Sequence, residues 1–159
     1  MNEEQRERWG SRTRLENGLE YEIHRSGWGS SERFICISGY NGESPVVEIP
    51  AEIAGLPVTH IGDFAFLRCT HITGVKFPEN LTDIDAGAFL DCTALSEINI
   101  PGNCDGFGVD AFKNCPNLSP KTRALINERD YFGGALGEDE EPSQEFKGAK
   151  NERRRSSPK

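Results

Sequence analysis

The chain has 159 residues, with 26 Asp and Glu against 18 Lys and Arg and a formal net charge of −8. That length suits one modest domain with tails, and the acidic balance argues against a broad nucleic-acid surface, which needs clustered cations. No apolar window is long enough to span a bilayer, and the opening MNEEQRERW carries no signal-peptide core. A full-length chain is therefore expected in the cytoplasm, and a chain trimmed of an export signal outside the cell.

Residues 1–18 are expected to be flexible or partly helical. Trp9, in this charged stretch, is a candidate for docking on the domain or on something else. A folded unit is expected over 19–134. It begins with two short strands, one marked by Tyr21 and Ile23 and one over residues 34–38, joined by a Gly- and Ser-rich turn over 26–31. This hairpin reads as an N-terminal cap. Trp28 sits in its turn between Gly27 and Gly29. An aromatic there either folds back on the cap or meets a partner, and tryptophan is enriched at interface hot spots.

Val47, Ile49 and Pro50 then echo the later Val75, Phe77 and Pro78, with an insertion around Ile53, Gly55 and Leu56. From there a strict repeat sets in. Phe66 and Cys69 return as Phe89 and Cys92 and again as Phe112 and Cys115, each step being 23 residues. Ala65, Ala88 and Ala111 keep the same interval, as do Ile61, Ile84 and Phe107, and Val58, Leu81 and Cys104. After the first two cysteines the alternating sets Ile72, Val75, Phe77 and Leu95, Ile98, Ile100 read as half-buried strands, each ended by a proline, Pro78 or Pro101. A period of this length marks a solenoid, in which every unit shields one side of the next.

The pattern fails after Leu118. Ser119 and Pro120 look like the cap and first residue of a helix over 120–130, with Leu118 as its staple and Ala124, Leu125 and Ile126 as its buried face. Gly133 and Gly134 stop it. Residues 135–159 read as a disordered charged tail. It runs from the acidic Glu138 to Glu141 into a basic block that begins at Lys147 and ends at Lys159.

Cys36, Cys69, Cys92, Cys104 and Cys115 are odd in number and form no CxxC, so they are expected as free, buried thiols rather than zinc ligands. His24, His60 and His71 lie in no HExxH or Cys/Asp arrangement, and His60 and His71 have Asp83 and Ala94 as repeat counterparts, which reads as surface. Asp83, Asp85 and Asp91 lack the ligand alternation of a calcium loop. No nucleophile motif, P-loop or dinucleotide fingerprint is present. Neither a catalytic residue, a metal nor a cofactor is expected.

The segments IGDFAFLRCTHITGVKFPEN, IDAGAFLDCTALSEINIPGN and FGVDAFKNCPNLSPKTRALI, with their Ala-Phe-x-x-Cys core, resemble the BspA-type leucine-rich repeat family. The resemblance implies an α/β-type repeat solenoid. Here that is a short leucine-rich repeat stack with one strand per repeat, closed by the N-terminal β-hairpin and the C-terminal helix. It also implies adhesion or protein recognition with no shared active site. The expected function is accordingly non-enzymatic recognition of another protein. Its candidate contacts are Trp28 and the outward strand positions Glu48, Lys76, Glu97 and Asn99, with Gly74 among them. Phe66, Cys69, Phe89, Cys92, Phe112 and Cys115 are the structural ladder. Two alternatives are self-association within a larger complex and nucleic-acid binding through the basic block 147–159.

Overall fold

The computed structural model describes residues 13–137. Ten strands and one helix follow in chain order: β1 Thr13–Arg14, β2 Leu19–Arg25, β3 Arg33–Tyr40, β4 Val46–Glu48, β5 Glu52–Ile53, β6 Leu56–Ile61, β7 Gly74–Lys76, β8 Asp83–Ile84, β9 Glu97–Asn99, β10 Gly106–Phe107 and α1 Pro120–Arg129. They form two sheets. A three-stranded parallel sheet runs β4-β7-β9, and a larger one runs β1-β2-β3-β6-β8-β10 with β5 paired to β6.

Each solenoid turn therefore gives two short strands, one to each sheet, where one per repeat was expected. The second strand is only two residues long in β8 and β10, too short to leave an alternating pattern in the sequence. Its inward column is nonetheless the Ile61, Ile84, Phe107 series, which is buried throughout. Parallel registers Val47↔Val75↔Ile98 and Ile61↔Ile84↔Phe107 hold the turns in step.

The cap hairpin β2–β3 is antiparallel, and β3 joins β6 in parallel through Ile35↔Val58 and Ile37↔Ile61. Leu19, Ile35 and Ile37, all fully buried, thus close the apolar end of the first turn. The insertion around Ile53 is itself a tight hairpin. Ala54 and Gly55 take φ of 54° and 79°, the paired left-handed geometry that a two-residue antiparallel turn requires. The cap also reaches further back than residue 19. β1 pairs with β2 through Thr13↔Tyr21, and Gly18, at φ 94°, lies so close to Gly42 that a side chain would collide with its backbone.

At the other end Ser119 caps α1. Thr122 N donates to Ser119 Oγ at 3.2 Å, and Leu118 is 4 % exposed. The buried face of the helix is Thr122 and Ile126, with Leu125 packed partly against the core. Ala124 is exposed, which corrects the expected face. Residues four apart share a side of a helix, and residues two apart do not.

The fold does not end at Gly134. Ala135 is fully buried and Leu136 packs on the core. Phe112 N donates to Ala135 O at 2.7 Å, as Phe66 N does to Ala88 O and Phe89 N to Ala111 O. Residues 133–137 are a truncated fourth copy of the Ala-Phe turn, with Leu136 in the phenylalanine place. The acidic and basic blocks over 138–159 lie outside the described residues, as do residues 1–12.

Candidate functional site

The repeated phenylalanines stack as a continuous ladder. Phe66 and Phe89 are 4.9 Å apart with 6° between their planes, and Phe89 and Phe112 are 5.4 Å apart at 1°. These separations follow the strand spacing of the solenoid. Tyr40 of the cap meets the end of the stack with its ring tilted by 33°, 5.6 Å from Phe66. The cysteines are buried free thiols. Cys92 Sγ donates to Phe66 O at 2.9 Å and Cys115 Sγ to Phe89 O at 3.0 Å, so each ties its turn to the one before. Burial pushes the Cys36 and Cys104 thiols up to about 12, and raises those of Cys69 and Cys92 as well. Burial thus favours the protonated thiol at these four positions.

Trp28 is exposed to its full extent, at 105 % of its reference surface. It does not fold back onto the cap. Gly27 and Gly29 on either side take φ of 74° and 78°, a left-handed conformation that glycine adopts without strain. The strand ends below are pinned, with Ser26 N donating to Glu32 O at 3.0 Å and Glu32 N to Ser30 Oγ at 3.0 Å. The ring borders an open recess of about 690 Å³ formed with Arg25, Ser30 and Ser31.

Glu48, Lys76, Glu97 and Asn99 all lie exposed on the outer face of the β4-β7-β9 sheet. Register sets Glu48 beside Lys76 and Lys76 beside Asn99. Asn99 is already engaged, because its amide accepts from Phe77 N at 2.9 Å and donates to Phe77 O at 3.2 Å. Gly74 holds the outward register position between Val46 and Glu97, is itself covered by them, and leaves a gap there. The result is a shallow groove of about 380 Å³ that also takes in Thr73, Ser96 and Ile98. Trp28 lies on the other sheet's hairpin, so the two candidate regions belong to different elements. Trp9 lies outside the described residues.

The sequence reading missed a cluster on the outer face of the larger sheet. Phe34 stacks between His24, at 5.7 Å, and His60, at 4.6 Å. His60 Nε2 is 3.7 Å from Asp83 Oδ2. Burial raises the Asp85 carboxyl above the usual range. Asp63 and Asp83 add to that rise, while His60 and His24 act against it. Four strands meet here, two from the cap and one from each of two turns, and no local pattern announces such a meeting. Among the described residues no group of three or more His, Cys, Asp or Glu is arranged to hold a metal ion, and no helix is long and apolar enough to cross a membrane.

Residues 48–121 match the model of the BspA type leucine rich repeat region. Among solved structures, a leucine-rich repeat protein from Bacteroides capillosus is 29 % identical, with a TM-score of 0.56 over 69 % of this chain and 79 % of that one. A leucine-rich repeat protein from Bacteroides ovatus is 26 % identical (TM-score 0.55), over 66 % of this chain and 28 % of its own. A leucine rich cell surface protein from Faecalibacterium prausnitzii is 25 % identical (TM-score 0.54), over 68 % of this chain and 29 % of its own. The chain thus spans most of the first relative and under a third of the other two. Comparison with curated protein sequences returns no match.

Proposed function

We propose that this chain, whose repeat region belongs to the BspA-type leucine-rich repeat family, is a non-enzymatic module that recognises another protein through the β2–β3 hairpin tip and the outer face of the β4-β7-β9 sheet. A solenoid offers extended, rigid surface, and burial leaves its free cysteines to packing.

Trp28 carries the reading. A pinned hairpin holds the largest side chain entirely in water, where it gains nothing for the fold. Burying it against a partner recovers the apolar free energy that folding leaves unused. The groove beside Gly74 supplies polar positions of both signs, Lys76 and Glu97, around the partly covered Ile98.

The test is affinity capture from the native source with the full chain and Trp28→Ala side by side, together with melting curves. The expected result is a stoichiometric partner whose affinity falls about tenfold or more in the variant at unchanged Tm. A large fall in Tm would assign Trp28 to the cap instead. Capture of the chain alone would move the reading to self-association.

A further inference from the structure

Phe64 departs from the rule its own repeat sets. Its column reads Phe64, Gly87, Asp110, Gly134, with φ of 57°, 62°, 61° and 95°. Glycine and aspartate suit this left-handed region, whereas a bulky aromatic is strained in it. Burial does not offset the strain, for Phe64 is 53 % exposed. Its ring rests on the bare Cα of Gly87, where any side chain would collide with it. Leu67 and Val109, 40 % and 55 % exposed, extend an apolar strip along the same turns, with Leu90 half-buried between. Phe64 N to Ala86 O and Gly87 N to Val109 O keep these turns in register.

The border of the strip is acidic. Asp63 and Asp85 flank it on one side, and Asp110 follows Val109. Of the cations on this face, Arg68 is paired with Asp91 at 3.5 Å and the stem of Lys113 lies over Gly137.

We propose that this turn face is a second docking surface, separate from the hairpin tip and the strand groove, and that its occupant is a basic, apolar-anchored segment of another protein. Aliphatic side chains of that segment lie on Phe64, Leu67 and Val109, while its lysine or arginine groups meet Asp63, Asp85 and Asp110. Strain retained at an exposed residue is characteristic of binding positions, and charge complementarity selects the sign of the partner. The raised carboxyl of Asp85, pushed up by burial first and then by Asp63 and Asp83, fits the same picture, since a partner cation beside it would favour its charged form.

The test uses the full chain and a short fluorescein-labelled peptide alternating leucine and lysine, with glutamate replacing lysine in the control. Binding by anisotropy is expected for the lysine peptide only, weakening with salt. Phe64→Gly should weaken it about tenfold or more while Tm holds or rises, because glycine fits φ 57°. Asp63→Asn, Asp85→Asn and Asp110→Asn together should weaken it and flatten the salt dependence, and Trp28→Ala should leave it unchanged. No binding of the lysine peptide, equal binding of the glutamate peptide, binding that survives Phe64→Gly, or loss in Trp28→Ala overturns the proposal.

Discussion

Phe66, Phe89 and Phe112 show how one residue type in one column becomes a continuous core. Stacked pairs of this kind contribute about 0.5–1.5 kcal/mol beyond the area they bury, and the thiol at Cys92 or Cys115 adds a tie to the preceding turn. The columns were readable from the 23-residue interval, since a side chain repeated at a fixed period must meet its own copies, whereas the bonds from thiol to Phe carbonyl were not. Asp85 was not readable in this way. Its repeat counterparts are Gly62 and Gly108, and its neighbours Asp63, Asp83, His60 and His24 come from three strands and a turn. Because its folded-state carboxyl is raised, the folded protein takes up a proton there more readily than the unfolded chain. The stability linked to that proton is present at low pH and is lost as pH rises through the raised value. Asp85→Asn is therefore expected to raise Tm at neutral pH, with the gain shrinking as pH falls through the carboxylate range. Melting curves across that range, wild type against variant, check it. A gain that does not change with pH would mean that the substitution acts through packing.

At the scale of elements, α1 was placed by its cap chemistry and misjudged in its rotation. Ser119, Pro120 and Leu118 specify where a helix starts through bonds made within a few residues. Which side of that helix is buried depends on the turn it covers, and that turn turns Thr122 and Ile126 inward and leaves Ala124 in water. Two side-chain bonds fix the orientation, Arg123 Nη2 to Cys115 O at 2.8 Å just before the helix and Arg129 Nη1 to Pro101 O at 2.7 Å in the preceding turn. Ser119→Ala should cost about 1 kcal/mol, read as a shift in the urea midpoint at unchanged slope. A shift near zero would show that tertiary contacts alone hold the helix start. The β2–β3 hairpin divides in the same way. Its strands and turn were legible from alternation and glycine, whereas the outward pose of Trp28 depended on the absence of any surface for the ring to fold onto.

For the whole molecule, the C-terminal boundary follows from an unfinished turn. Residues 133–137 accept from Asp110 N and Phe112 N, and Leu136 packs against the core. Asp130 holds this turn in place by accepting from Gly133 N at 3.1 Å and Ala135 N at 2.8 Å. A chain ending at Asp130 should lose on the order of 2 kcal/mol relative to one ending at Gly137, measured by urea unfolding of the two truncations. Equal stabilities would show that the fourth turn is an ornament on a closed stack. The sequence by itself determined the solenoid, its period, the inward Phe, Ala, Cys and aliphatic columns, the hairpin cap and the helix start, because these are periodic or local and need no knowledge of distant partners. Only the tertiary structure decided the second strand of each turn, the His24–Phe34–His60 stack, the buried side of α1, the fourth turn through Leu136, and which apolar residues stay in water. Each of those rests on which segments come to lie side by side, and that is set by how the turns and caps pack together rather than by any short stretch of the chain.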